Sequence, residues 1–284
     1  MLYVQRHCRT GRSGQERRMT YLMENDEEII RLEVKTNVDE VRQQAVWCGI
    51  RQGQRVLDVG CGIGKTTAVL YDMVQPAGSV VGIDFSEDRI SYAKKNYGGK
   101  EGIDFYVKDL TKPVDNLGRF DVIWVRFVLE YFRAESNEIV KNLRNCLAPG
   151  GVLCLLDLDH NCLNHYELPN ELECILYQVM ERMEREHDFD TRAGRKLYSY
   201  LYDNGFENIE ANIMAHHLIY GDVREEDLFN WMKKTEVAAS MAKDLFDNYP
   251  GGFEGFHSEF IKFFNDPRRF TYSCLILCKG IKPR

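Results

Sequence analysis

Three closely spaced glycines punctuate the run Val56-Leu57-Asp58-Val59-Gly60-Cys61-Gly62-Ile63-Gly64. A short buried-strand pattern precedes them, and residues 65–74 after them read as a helix. Glycine at such a junction lets the backbone approach a ligand closely and take dihedrals that other residues avoid. The helix start adds unpaired N–H groups and a partial positive charge. Asp84 ends the next strand run, 79–84, and a carboxylate at that tip can accept both hydroxyls of a ribose. Together these residues predict a nucleoside site. A P-loop is excluded: Gly64-Lys65-Thr66 supplies its end, but Val59 stands where its first glycine belongs. A dinucleotide loop wants its third glycine where Lys65 stands, which leaves less room for a pyrophosphate.

Groups able to handle a proton follow the later strands. Glu130, Asp159 and His160 are candidate bases, and His160 follows the fifth strand at the carboxyl edge, where ligands bind in such sheets. His216-His217 is not read as a metal site, because adjacent side chains on a strand point to opposite faces. Phe253, Phe256, Phe260, Phe263 and Phe264 have the spacing of a helix core face, with a pocket wall as the alternative.

These groups need elements to position them. Thr36-Asn37 followed by Glu40 reads as a helix start, with Val38, Val41, Ala45 and Val46 as its apolar stripe; Asn25-Asp26-Glu27-Glu28 reads as an earlier one. Strands at 55–59, 79–84, 103–107, 120–125 and 152–158 alternate with helices, the pattern of a parallel sheet covered on both faces. Beyond residue 161 the pattern changes: helices are expected at 168–186, 195–204 and 225–246, and strands at 206–215 and 270–277.

The chain has 284 residues, 44% apolar and 29% charged, with a net charge of −7. That balance argues against a nucleic-acid partner. No apolar run reaches the roughly 18 residues of a membrane span. The nine cysteines include no Cys-x-x-Cys pair and mostly sit in apolar runs, which fits a reducing, cytoplasmic setting. Residues 1–18 stand apart, with Arg6, Arg9, Arg12, Arg17 and Arg18 against Glu16 alone. They read as a tail or a misassigned start ahead of Met19, with an Arg-rich transit peptide as the alternative.

The glycine run from Val56 to Gly64 resembles the first motif of the class I S-adenosylmethionine-dependent methyltransferases. Val81-Gly82-Ile83-Asp84-Phe85-Ser86 resembles the second. Lys108-Asp109-Leu110, Phe120-Asp121-Val122-Ile123-Trp124 and Leu147-Ala148-Pro149-Gly150-Gly151 resemble the third, fourth and fifth. The flanks, 19–54 and 159–284, loosely resemble small-molecule methyltransferases with an N-terminal helical strap.

The resemblance implies a Rossmann-like, seven-stranded α/β sheet whose last strand runs antiparallel, inserted beside the strand at 206–215. It implies S-adenosyl-L-methionine as cofactor, bound by a core over 55–158, with a strap at 19–54 and, over 159–284, cap insertions plus the last two strands. Gly60, Cys61 and Gly62 would cradle the methionyl part, with Asp58 near its ammonium. Asp84 would hold the ribose, Phe85 would pack on the adenine, Asp109 would accept its amino group and Leu110 would wall it. Arg126 stands where the family often has a small or polar residue, so whether it faces cofactor or acceptor is open. Tyr21 and Arg31 are the candidate strap residues. Strap and cap helices are expected to meet over the carboxyl edge as a lid. The function implied is methyl transfer to a small molecule at oxygen, nitrogen or carbon, with His160 or Glu130 as base; the alternative is a binding protein that keeps the fold without the reaction.

Overall fold

The computed structural model describes Leu32, Glu33 and residues 36–284. Tyr21, Arg31 and the helix start expected at 25–28 lie outside the described residues. The Asn37 side chain accepts from the N–H groups of Asp39 and Glu40, at 3.0 and 3.3 Å, and so caps helix α1 (Val38–Cys48). Its buried side carries Val41, Gln44, Ala45 and Cys48. Val46, expected on that stripe, is 67% exposed. Gln44 takes the inward place because Arg126 donates a hydrogen bond to it.

Five strands form the parallel part of the sheet: β1 (Arg55–Val59), β2 (Ser79–Asp84), β3 (Ile103–Val107), β4 (Phe120–Arg126) and β5 (Leu147–Asp159). Helices α2 (Lys65–Val74), α3 (Glu87–Tyr97) and α4 (Ser136–Cys146) connect them. Strand residues alternate between two cores. Leu57, Val59, Ile123 and Val125 pack with Leu143 on one face; Val56, Val122 and Trp124 pack with Ala45 and Leu70 on the other. β5 starts earlier than the expected 152. Its register to β4 shifts between Phe120 and Val122, so Pro149-Gly150-Gly151 forms an irregularity within the strand.

The chain continues through β6 (His165–Tyr166), α5 (Asn170–Glu186), α6 (Leu197–Asp203), β7 (Glu207–Tyr220), α7 (Glu225–Ser240), α8 (Gly252–Phe264) and β8 (Phe270–Ile281). β8 runs antiparallel between β5 and β7, as expected of the last strand. The sheet has eight strands rather than seven. β8 begins four residues before its pairing with β5 starts at Cys274, and the two-residue β6 pairs with its first two residues. The helix expected over 225–246 ends at Ser240; a 3-10 turn, Lys243–Phe246, follows.

α5, α7 and α8 share a core of their own, with Leu172, Val179, Trp231, Phe256 and Phe260 among its buried residues. The phenylalanine series therefore packs. Among the described residues, no helix is long and apolar enough to cross a membrane.

Candidate active site

A cleft of about 810 Å³ opens at the carboxyl ends of β1, β2 and β4. The glycine loop forms part of its wall. Gly60, Gly62 and Gly64 have φ of 70°, 54° and 87°, a region that glycine enters freely. A Cβ on Gly60 would overlap Val128, and one on Gly64 would come within 2.8 Å of Ala93. A Cβ on Gly62 would meet only Leu32, at 3.7 Å. Packing therefore explains two of the glycines, and Gly62 faces open cleft.

Asp84 is 4% exposed and lines the cleft. Its Oδ2 accepts from the Gly62 N–H at 2.9 Å and its Oδ1 from the Ser86 N–H at 3.0 Å. The β2 tip is thereby tied to the glycine loop, and each oxygen keeps acceptor capacity. Cys61, Phe85, Asp109 and Leu110 also line the cleft. Asp109 Oδ1 accepts from the Thr111 N–H and hydroxyl at 3.0 and 2.6 Å. Partial burial raises its pKa, but the bonds from Thr111 and Lys112 outweigh that and leave it below the usual carboxylate range. Asp58 lies behind the loop and is not among the lining residues. The Thr67 hydroxyl donates to it at 2.6 Å. Burial pushes its pKa up to about 7, against the lowering effects of Thr67 and Arg126.

Arg126 and Phe127 enter the cleft from the end of β4. Arg126 Nε donates to Gln44 Oε1 at 2.9 Å, and its guanidinium lies 4.1 Å from the Phe127 ring centroid. Burial lowers the arginine to about 10, opposed by Glu40, Asp58 and Asp157, so it stays a cation at neutral pH. Phe127 has φ +58°, an uncommon conformation for a non-glycine residue. Glu130 also lines the cleft, 3% exposed, and accepts from Asn161 Nδ2 at 2.9 Å. Its own N–H donates to Asp157, which burial and then the charge of Glu130 push well above the usual range.

His160 is not in this cleft. Its backbone has φ +57°, and its Nδ1 is hydrogen-bonded to Asn164 Oδ1 at 2.9 Å, with the Tyr177 ring beside it. Asp159 is absent from the lining too, held by a two-bonded pair with Arg195 at 2.7 and 2.8 Å. The expectation that both follow β5 into the site fails because the chain turns away there. The cap also differs from expectation. Glu184 to Asp188, around the end of α5, line the cleft, but among the described residues none from α7 or α8 does.

His216 is the site residue that strand alternation missed. Ala215 pairs with Cys274 and Leu218 with Tyr272, so β7 carries one extra residue at this point. The bulge brings the rings of His216 and His217 to 4.2 Å instead of opposite faces. His216 lines the cleft, 4.7 Å from the Phe127 ring, and its Nδ1 is 3.6 Å from Glu40 Oε2. The doublet itself was the available signal; an adjacent pair in a long edge strand marks where a bulge could sit.

A model of the methyltransferase domain matches residues 50–205. Demethylmenaquinone methyltransferase of Staphylococcus aureus (strain JH9) is 32% identical over 131 residues, covering 42% of this chain and 52% of that protein. The chain spans about half the length of the curated relatives it matches. Phosphoethanolamine N-methyltransferase 2 of Haemonchus contortus, solved with phosphomonomethylethanolamine and S-adenosylhomocysteine, superposes with a TM-score of 0.58 at 16% identity. That match covers 91% of this chain and 58% of the other. The [4+2]-cyclase SpnF superposes with a TM-score of 0.53 at 19% identity, covering 87% of this chain and 81% of the other.

Proposed function

Because the chain belongs to the methyltransferase-domain family, we propose that it transfers a methyl group from S-adenosyl-L-methionine to a small-molecule acceptor held in the cleft. The observation that carries this reading is Asp84: a buried carboxylate on the cleft wall, tied to the Gly62 N–H and with acceptor capacity to spare. A ribose with two adjacent hydroxyls suits it. Gly60, Cys61 and Gly62 would line the methionyl part, Phe85 and Leu110 the adenine, and Asp109 its amino group. Asp58, behind the loop, would act on the ammonium through the backbone and not by contact.

The cofactor supplies a methyl group already bonded to a good leaving group, so the protein's task is alignment, exclusion of water and proton removal. Leu32, Tyr131 and Phe132 line the cleft and would cover a bound ligand with apolar surface. Glu130, which accepts from Asn161, is a base within the cleft. Arg126 supplies a fixed positive charge for an anionic group. The eight cysteines among the described residues are free thiols, and we assign the enzyme to the reducing cytoplasm on that ground.

Calorimetry tests the reading. Asp84→Ala is expected to weaken S-adenosylmethionine binding by about 1.5–3 kcal/mol, the scale of hydrogen bonds to a charged group. Unchanged affinity would remove the ribose assignment.

A further inference from the structure

We infer that β7 is the contact strand of a symmetric dimer: two copies of this chain join their sheets edge to edge through residues 209–213, antiparallel, with Ala211 of one facing Ala211 of the other.

The edge itself comes first. β7 pairs with β8 on one side, and among the described residues no strand lies on its other side. Its register to β8 shifts between Glu207 and Glu210 and again between Ala215 and Leu218, so residues 210–215 form an unbroken stretch between two irregularities. Sheet edges are commonly guarded by short length, proline, lysine or other charges. β7 is 14 residues long. From Asn208 to Tyr220 it has no proline, lysine or arginine, and Glu210 is its one acid. Ala211 is exposed, and Ile213 is 68% exposed. The Ile213 N–H donates to Asn212 Oδ1, on the adjoining residue, at 2.8 Å. That is the bond of an edge N–H with no strand beside it. Alternate residues of a strand turn their N–H and C=O the same way, so Ala211 presents both outward too.

The sequence of this stretch identifies the occupant. Ile209-Glu210-Ala211-Asn212-Ile213 matches itself when reversed, with isoleucine two residues to either side of Ala211. With a two-fold axis at Ala211, the outward N–H and C=O of each Ala211 bond those of the other. Ile209 faces Ile213 of the second copy. The Ile213 N–H exchanges the Asn212 side chain for a main-chain carbonyl. The released Asn212 amide faces Glu210 of the second copy, a neutral donor against a carboxylate that Lys279 holds at 3.3 Å. Moving the axis one residue back sets Glu210 against Glu210, like charges directly opposite, which is destabilising. Moving it one residue forward sets Glu210 against Met214, which offers its carboxylate no donor. The match at Ala211 therefore selects a second copy, and two-fold dimers are the commonest closed assembly.

The isoleucine pairs would lie on the face that carries α6. Ala211 and Ile213 pair with Cys278 and Ile276, which pack in the core that Leu197 and Leu201 of α6 share. The paired stretch ends before the irregularity that carries His216, and none of residues 209–213 lines the cleft.

Sedimentation velocity of the full chain over a dilution series tests the contact. The wild type is expected to sediment as a dimer that dissociates on dilution. Ile213→Lys, at an exposed position, puts a charge on the edge and should weaken association at least about tenfold, while S-adenosylhomocysteine affinity by calorimetry stays within about threefold. Cross-linking with diamide tests the register; two thiols are oxidised to one disulfide, and the reagent takes up the two electrons and two protons. Ala211→Cys should give a covalent dimer, because its paired Cα atoms would stand about 5.5 Å apart, within disulfide reach. Ile213→Cys places its copies roughly 14 Å apart in this register and should cross-link no more than the wild type with its native thiols. A monomer throughout the series, association unchanged in Ile213→Lys, or cross-linking through Ile213→Cys in place of Ala211→Cys overturns the proposal.

Discussion

The Asp84 end of the cleft is made of backbone and strand tips, whereas the His216 end is made of side chains from four separated segments. At the first end Gly60 and Gly62 follow β1 and Asp84 ends the adjacent β2; the Gly60 N–H donates to the Ile83 carbonyl and the Gly62 N–H to the Asp84 carboxylate. At the second, Arg126 and Phe127 come from the end of β4, Glu130 from the following turn and His216 from the β7 bulge, with Glu40 of α1, outside the lining, 3.6 Å from His216. Backbone cradles constrain the ligand through the path of the chain and tolerate little substitution. Side-chain assemblies can be exchanged one residue at a time. Neighbours named as a methyltransferase and as a cyclase share this fold, and a fold does not by itself fix a function.

The contrast breaks most visibly if the cap is loosened. Phe260 is fully buried among aromatic residues of α8, away from the cleft. Phe260→Ala is expected to lower stability by about 3–5 kcal/mol. If the two cores are separable, cofactor affinity stays within threefold while turnover falls, because Glu184 to Asp188 at the cleft rim lie between Met183 and Phe189, which are both in that core. Equal loss of cofactor binding, measured by calorimetry beside thermal melts, would show one cooperative unit.

Gly62→Val attacks the other end. Among the described residues the added Cβ meets only Leu32, at 3.7 Å, so the rest of the side chain extends toward the cleft. Cofactor binding is expected to drop at least about a hundredfold, with φ +54° adding strain of about 1–2 kcal/mol to the fold. A normal titration alongside normal circular dichroism would refute a backbone cradle there.

The two ends also differ in how far the sequence alone reveals them. The glycine loop and Asp84 are legible because strand, turn and helix signals are local, and the acid ends a strand run that pairs in parallel with the first. The inserted last strand is legible from its place at the end of the chain. His216 is hidden because one extra residue in β7 reverses the alternation that a strand pattern assumes. Gln44 is hidden because its inward position depends on Arg126, distant in sequence. His160 misleads for the converse reason: its place after β5 is right, but a left-handed turn sends it to Asn164.

Asp58 sharpens the comparison through pH. It lies beneath the loop, 2% exposed, with a pKa of about 7 set first by burial. The folded value is above the unfolded one, about 4, so its stabilising contribution is complete below that pH and is lost as pH rises through about 7. Asp58→Asn, which keeps an oxygen for Thr67, is expected to gain on the wild type over that window by on the order of 3 kcal/mol. Denaturation at a series of pH values reads the difference; a gap that does not grow with pH would mean that Arg126 already compensates the charge.

The smallest expected effect belongs to Lys65, the first residue of α2, where a dinucleotide loop would carry glycine. Its ammonium is 3.3 Å from Glu33 Oε2 and also donates to the Glu33 carbonyl; the Tyr97 hydroxyl donates to the same carboxylate. These contacts hold Glu33, and with it Leu32, against the glycine loop, where Leu32 lines the cleft. The ion pair is about a quarter exposed, so its worth is about 1 kcal/mol or less, and salt weakens it. Lys65→Met keeps the apolar stem and removes the charge. It is expected to weaken cofactor binding about threefold to fivefold at low salt, with a shift in melting temperature of about 2 °C or less. Raising the ionic strength should bring the wild type toward the variant. Equal affinities at low salt would mean that Leu32 keeps its place without the latch, and that the Asp84 end is closed by the backbone cradle alone.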